Sequence, residues 1–133
     1  MRNYILCTLC MLLLGCYKIY PNKLTPKELE IDASEQVVYV NATRKIDIID
    51  IVSSADSYPD SKKGEETKDF NGILVCNGVW FNARINTNDL DSCNVIKFYF
   101  KKNDSGEKRK IVYTVKGDIH FQMPVGSITQ SVQ

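Results

Sequence analysis

Among the side chains of this sequence that could do chemistry, the Cys16 thiol stands out by its neighbours. Gly15 precedes it, slim enough to leave the intervening peptide bond open to attack, and Leu13 and Leu14 come before Gly15. Thiols are strong nucleophiles, so a cysteine so placed is suited to covalent modification. The other chemical groups are sparse. His120 is the only histidine and sits beside Phe121, as a packing or surface residue would. A site of cysteine and histidine ligands needs about four groups, and Cys76, Cys93 and His120 fall short. Asn86, Asn88, Asp89 and Asp91 are rich in oxygen but lack the glycine and the closing glutamate of a calcium loop. No G-x-S-x-G elbow for triad hydrolysis is present. The chain therefore reads as non-catalytic, with no cofactor and no metal.

The apolar run Tyr4 to Leu14, broken only by Thr8 and preceded by the charge of Arg2, must position Cys16. It suits the core of a signal peptide and is too short for a bilayer, which takes about 20 apolar residues. With its end in Leu13-Leu14-Gly15-Cys16 it resembles the lipobox of bacterial lipoproteins. That resemblance implies a diacylglycerol on Cys16, cleavage after Gly15 and usually acylation of the new amino group. Residues 1–15 are then the signal peptide and 16–28 a lipidated tether, whose polar leader Tyr17 to Thr25 reaches about 30 Å at roughly 3.3 Å per residue if extended. Residues 29–133 form the folded domain. Removing Arg2 with the signal leaves sixteen basic against sixteen acidic residues. Zero net charge supplies no field for nucleic acid or acidic lipid. The implied location is the outer membrane, on its periplasmic or surface-exposed face, with the membrane itself a partner through the anchor.

Beyond the tether the signals are those of strands. Leu29 and Ile31 alternate with acidic residues, Val38 and Val40 flank Tyr39, and Ile46 and Ile48 give way to Ile49 and Ile51 in the opposite parity. That switch predicts a bulge or bend. Residues 53–69 turn polar, with Pro59 and Gly64 as breakers, and read as a long solvated loop. Ile73 to Cys76 and Val79 to Ile85 flank Asn77-Gly78, a strong hairpin signal because both residues tolerate positive φ. Val95 to Lys101 alternates, placing Phe98 and Phe100 inward and Tyr99 outward with Lys97 and Lys101. Ile111 to Val115 is β-branched, and Ile119, Phe121, Val125 and Ile128 predict a last strand interrupted at Pro124. About seven short strands without helical periodicity predict an all-β sandwich. Cys76 and Cys93 fall some 20 Å apart on this layout, too far for the ~7 Å that a disulfide allows, so two unpaired thiols are expected.

The pieces NGVWFNARI (Asn77 to Ile85), VIKFYFKKNDSGEKRKIVYTVKGD (Val95 to Asp118) and SITQ (Ser127 to Gln130) resemble a BACON domain. This immunoglobulin-like β-sandwich is common in secreted and lipid-anchored proteins of gut Bacteroidetes. Asn103, Gly106 and Arg109 match its turn, Ile128-Thr129-Gln130 its last strand, and Trp80 its tryptophan strand, which implies that Trp80 points inward and Phe81 outward. The turn residues are structural: a glycine for positive φ, an amide to bond turn backbone, a guanidinium to reach carbonyls. Two functions remain open. One is a structural or interaction module in an envelope assembly, with another envelope protein as partner. The other, implied by the resemblance, is a carbohydrate-binding module of a polysaccharide-utilisation system, with Tyr99 and Tyr58 as the rings available to a glycan.

Overall fold

Alternating burial builds two sheets. The computed structural model describes residues 18–54, 61–63 and 65–133. Its strands are β1 (Leu24–Thr25), β2 (Glu28–Ile31), β3 (Gln36–Ala42), β4 (Ile48–Ser54), β5 (Ser61–Lys63), β6 (Glu65–Lys68), β7 (Ile73–Asn77), β8 (Phe81–Asn86), β9 (Val95–Phe100), β10 (Arg109–Lys116) and β11 (Val125–Gln130). One sheet runs β1-β3-β9-β8-β7-β6 and the other β2-β11-β10-β4-β5. All named pairs are antiparallel except β2 with β11. The chain is thus an all-β sandwich, with eleven described strands where about seven were expected.

The core lies between the inner faces. Val40, Leu74, Ala83, Ile85, Ile96, Phe98 and Phe100 come from one sheet, and Ile49, Ile51, Ile111, Tyr113 and Ile128 from the other. Phe98 stacks on Phe100 with centroids 5.9 Å apart and meets Tyr113 across the sandwich at 4.9 Å. Parity along β9 is as its sequence predicts. Neither Cys76 nor Cys93 is in a disulfide, and both are buried.

Several expectations are corrected. The parity switch near Ile48 is the start of β4: Ile46 is buried in the preceding connection, its N–H bonded to Cys93 O at 2.9 Å, and Ile48 is exposed. Residues 53–69 are no single loop. They complete β4 and supply β5 and β6, which form outer edges of the two sheets. Charged side chains suit an edge, because they discourage further strand pairing, and they erase the apolar alternation that marks an inner strand. Asn77-Gly78 is no two-residue turn. Asn77 pairs with Asn82, the Gly78 N–H reaches Phe81 O at 3.0 Å, and among the described residues only Gly72 and Gly106 have positive φ. Trp80 consequently sits in a turn and escapes strand alternation, so Trp80 and Phe81 are both buried, edge to face at 5.4 Å. Ile119 and Phe121 belong to the connection before β11 rather than to a strand.

The tether is corrected most sharply. Tyr20 bridges Phe121, its N–H bonding His120 O at 2.6 Å and its carbonyl accepting from Gln122 N at 2.9 Å. Leu24 and Asn22 are buried, and β1 pairs with β3. The folded body therefore includes the chain from Tyr20 onward, well before Leu29.

Candidate functional site

The strand register collects polar and aromatic side chains on the outer face of the six-stranded sheet. Val37 and Tyr39 of β3 stand opposite Tyr99 and Lys97 of β9, and these stand opposite Asn82 and Arg84 of β8. Tyr39 and Tyr99 are thus diagonal neighbours on one face, a separation of about 7–8 Å between backbones, within reach of aromatic side chains. Tyr39 is exposed and Tyr99 half-buried. Val37, Asn82, Arg84, Lys97 and Tyr99 line a shallow groove of about 210 Å³.

The Tyr99 hydroxyl donates to the Glu35 carboxylate. That bond foremost, with some desolvation and the carboxylate's charge, holds the phenol above its ordinary pKa. Asn82 bonds Asn77 through their side-chain amides. The face therefore offers one tethered ring, one exposed ring, amides and two cations, a set suited to hydroxyl-rich or peptide-like partners rather than to bond-breaking.

The other sequence candidates lie elsewhere. Tyr58 is outside the described residues, as are Gly15 and Cys16. Asn103, Gly106 and Arg109 sit at one end of the sandwich. Asn103 is fully buried; its Nδ2 donates to Glu107 O and Ser131 O, both at 2.8 Å, and its Oδ1 accepts from Ser105 N and Oγ. Gly106 has φ +80°, which an L side chain resists. Arg109 donates to Lys102 O at 3.4 Å and lays its guanidinium over the Trp80 ring at 5.5 Å. Gln130 is buried there too, its Nε2 reaching Lys101 O at 2.9 Å and Ser34 O at 3.2 Å. His120 is exposed at the opposite end. Among the described residues no group of three or more His, Cys, Asp or Glu could hold a metal.

A larger cleft, of about 830 Å³, was not foreseen. It opens at the end where the N-terminal chain enters, between Ile19, Leu24, Ile119, Phe121, Met123 and Pro124. Arg44 lies over the rings of both Tyr20 and Phe121, at 5.8 and 5.1 Å. The apolar residues that line it were read as tether and strand, so nothing in their spacing marked a surface feature.

No known family profile matches the chain, and no curated protein is significantly similar in sequence. The fold does have relatives among solved structures. An NMR structure of a protein from Bacteroides thetaiotaomicron superposes with a TM-score of 0.57 at 14% identity, covering 87% of this chain and 91% of that one. A Bacteroides ovatus GH5 xyloglucanase, solved with a XXXG heptasaccharide, aligns with a TM-score of 0.49 at 12% identity. That alignment covers 84% of this chain and 19% of the xyloglucanase. At 14% identity the likeness to the Bacteroides thetaiotaomicron protein speaks to the sandwich alone.

Proposed function

We propose that this protein is a lipid-anchored, non-catalytic module of the cell envelope that works through surface contacts, as a structural or interaction domain. One observation carries the reading: its organised aromatic and polar side chains, Tyr39, Tyr99, Asn82 and Arg84, lie on an open sheet face. Such a face suits an extended partner. The immunoglobulin-like and BACON-like readings are part of the proposal. They draw support from the order β1-β3-β9-β8 facing β11-β10-β4, which corresponds to the ABED and GFC sheets of that architecture. The anchor is Cys16, cleaved after Gly15, in the outer membrane. Metabolic labelling with a fatty acid tests it: the wild type carries label and stays with membranes in high salt, and Cys16→Ala loses both. Unlabelled, freely soluble wild-type protein would refute the anchor. For the interaction role, affinity capture from envelope extracts is expected to return a partner that Arg84→Ala or Tyr99→Ala releases.

The diagonal placement of Tyr39 and Tyr99 supports a second reading, a carbohydrate-binding module. Pyranose faces stack on exposed rings while amides and cations bond hydroxyls. Trp80 is buried under Arg109, so its emission is a poor reporter. Tyrosine ring signals during saccharide titration are the direct readout. Saturable shifts at Tyr39 and Tyr99, abolished by Tyr99→Ala in a folded protein, would favour this reading over the first.

A further inference from the structure

Besides the 43–47 connection, the strand register sends three others to the end of the sandwich where the N-terminal chain enters: residues 69–72, 87–94 and 117–124. They share one construction. In each, an aspartate carboxylate accepts the N–H two residues on: Asp69 from Asn71 at 2.9 Å, Asp89 from Asp91 at 3.0 Å, Asp118 from His120 at 2.8 Å. Such a turn spends the carboxylate on backbone and projects the residue between. In all three that residue is large and apolar. Phe70, Leu90 and Ile119 are 109%, 89% and 76% exposed. Ile19 and Met123 beside the cleft are exposed as well. The first two loops are cross-braced, Asn88 Nδ2 bonding Asn71 O at 2.9 Å and Thr87 N bonding Gly72 O at 2.9 Å. Exposed apolar residues gathered at one end mark a surface meant to be covered.

What covers it follows from where the chain leads. Three residues, Tyr17 to Ile19, separate Cys16 from Tyr20, which is already bonded into the body. The four steps of chain from Cys16 to Tyr20 span at most about 14 Å. We infer that this end of the sandwich seats on the phospholipid surface, with Phe70, Leu90 and Ile119 dipping into the headgroup–acyl boundary. The inference rests on the lipid-anchor reading of Cys16. With the anchor so close, the body has no slack to stand away from the bilayer. Lys23 and Lys27, which line the cleft, face the headgroups. The seating also leaves the Tyr39–Tyr99 face upright along the membrane normal, open to a partner from the side.

The test uses the full chain, isolated from bacterial membranes and reconstituted into phosphatidylcholine vesicles with brominated acyl chains. Tryptophan is introduced singly as Phe70→Trp, Ile119→Trp and, at the opposite end, Asp104→Trp; flotation with the vesicles reports the anchor independently. Wild-type Trp80, also at the opposite end, is the internal reference. We expect the added emission of Phe70→Trp and Ile119→Trp to fall about twofold or more in brominated vesicles, as for side chains within ~5–10 Å of the headgroup boundary. Asp104→Trp and Trp80 should be unaffected. Vesicles that float with the protein while both tips stay unquenched would overturn the seating and leave the anchor intact. Quenching at Asp104→Trp instead would reverse the orientation. Protein that fails to float would overturn the anchor reading, and the seating with it.

Discussion

The two ends of the sandwich are built on opposite terms. At the end of the 101–108 turn, buried amides hold the loops: Asn103 ties Glu107 to Ser131, Gln130 ties Lys101 to Ser34, and the Asn103 N–H bonds Ala33 O at 2.8 Å. Trp80 closes this end, packed against Phe81 and Phe100 under Arg109. At the other end three aspartate carboxylates bond their own turn backbone, and the apolar residues that follow them stand out into solvent. Burying a side chain such as Leu or Phe stabilises by about 1.5–3 kcal/mol, and the exposed tips forgo that in the isolated domain. The first end therefore belongs to folding and the second to what the domain rests on. Substitutions should separate the two.

The largest loss of stability should come from the closed end. Phe100 is fully buried between Trp80 and Phe98, and Phe100→Ala should destabilise by about 3–5 kcal/mol in urea unfolding. Leu90→Ser, a comparable apolar deletion at the open end, should shift stability by less than about 0.5 kcal/mol. Equal losses would erase the distinction. Next comes Asn103→Ala. It leaves the carbonyls of Glu107 and Ser131 without their amide donor, a loss of about 1–3 kcal/mol, and should loosen hydrogen-exchange protection at the 101–108 turn. No measurable change would mean that water replaces the amide there.

How far the sequence reveals this division depends on what each end is made of. Strand parity in Val95 to Lys101 foretells which residues are inside, because burial on one face leaves a period of two. The turn at Asn103 and Gly106 is legible for a similar reason: few residues satisfy a buried amide position or a positive φ. Gln130 at the close of SITQ can be quoted but its partners cannot be named, since Ser34 and Lys101 are distant in sequence. The open end is nearly illegible. Asp-Phe, Asp-Leu and Asp-Ile carry no joint signal, and only the register shows that residues 69, 89 and 118 lie at one end. Tyr39 and Tyr99 hide in the same way, each an ordinary alternating residue until β3 pairs with β9. The polar stretch over 53–69 misleads because edge strands tolerate charge on both faces.

A glycine at each end gives a finer comparison. Gly106 has φ +80° with open space around a would-be Cβ, so Gly106→Ala should lose only the conformational term, about 1 kcal/mol. Gly72 has φ +76°, and its Cβ would run into the Asn88 side chain, which braces the loop by bonding Asn71 O. Gly72→Ala should add the displacement of Asn88 to the same term, and lose about 1–2 kcal/mol in all. Thermal unfolding of the two variants side by side checks the order. If Gly106→Ala proved the more harmful, the closed end would be tighter than its open space indicates.

The smallest effect concerns one carboxylate at each end. Asp89, beside the Leu90 tip, accepts from Ser92 Oγ at 2.8 Å and from Asp91 N at 3.0 Å, and the serine bond foremost holds its pKa below the ordinary range. Asp32, near the closed end, is lowered chiefly by the Ser34 hydroxyl, then by the Ser34 N–H, with a further contribution from Gln36. In both, the folded value lies below the unfolded one of about 3.9. The stabilisation is therefore complete above that pH and fades as pH falls through the lower folded value. Both carboxylates are exposed, so the change should be local rather than global. Carboxyl carbon shifts followed by NMR should show both groups titrating below the ordinary aspartate value. Ser92→Ala should move Asp89 up and leave Asp32 where it was, and Ser34→Ala should do the reverse. Ordinary titration of Asp89 in the wild type would mean that the Leu90 tip is not held by its turn, which would weaken the case that the open end presents a fixed apolar surface.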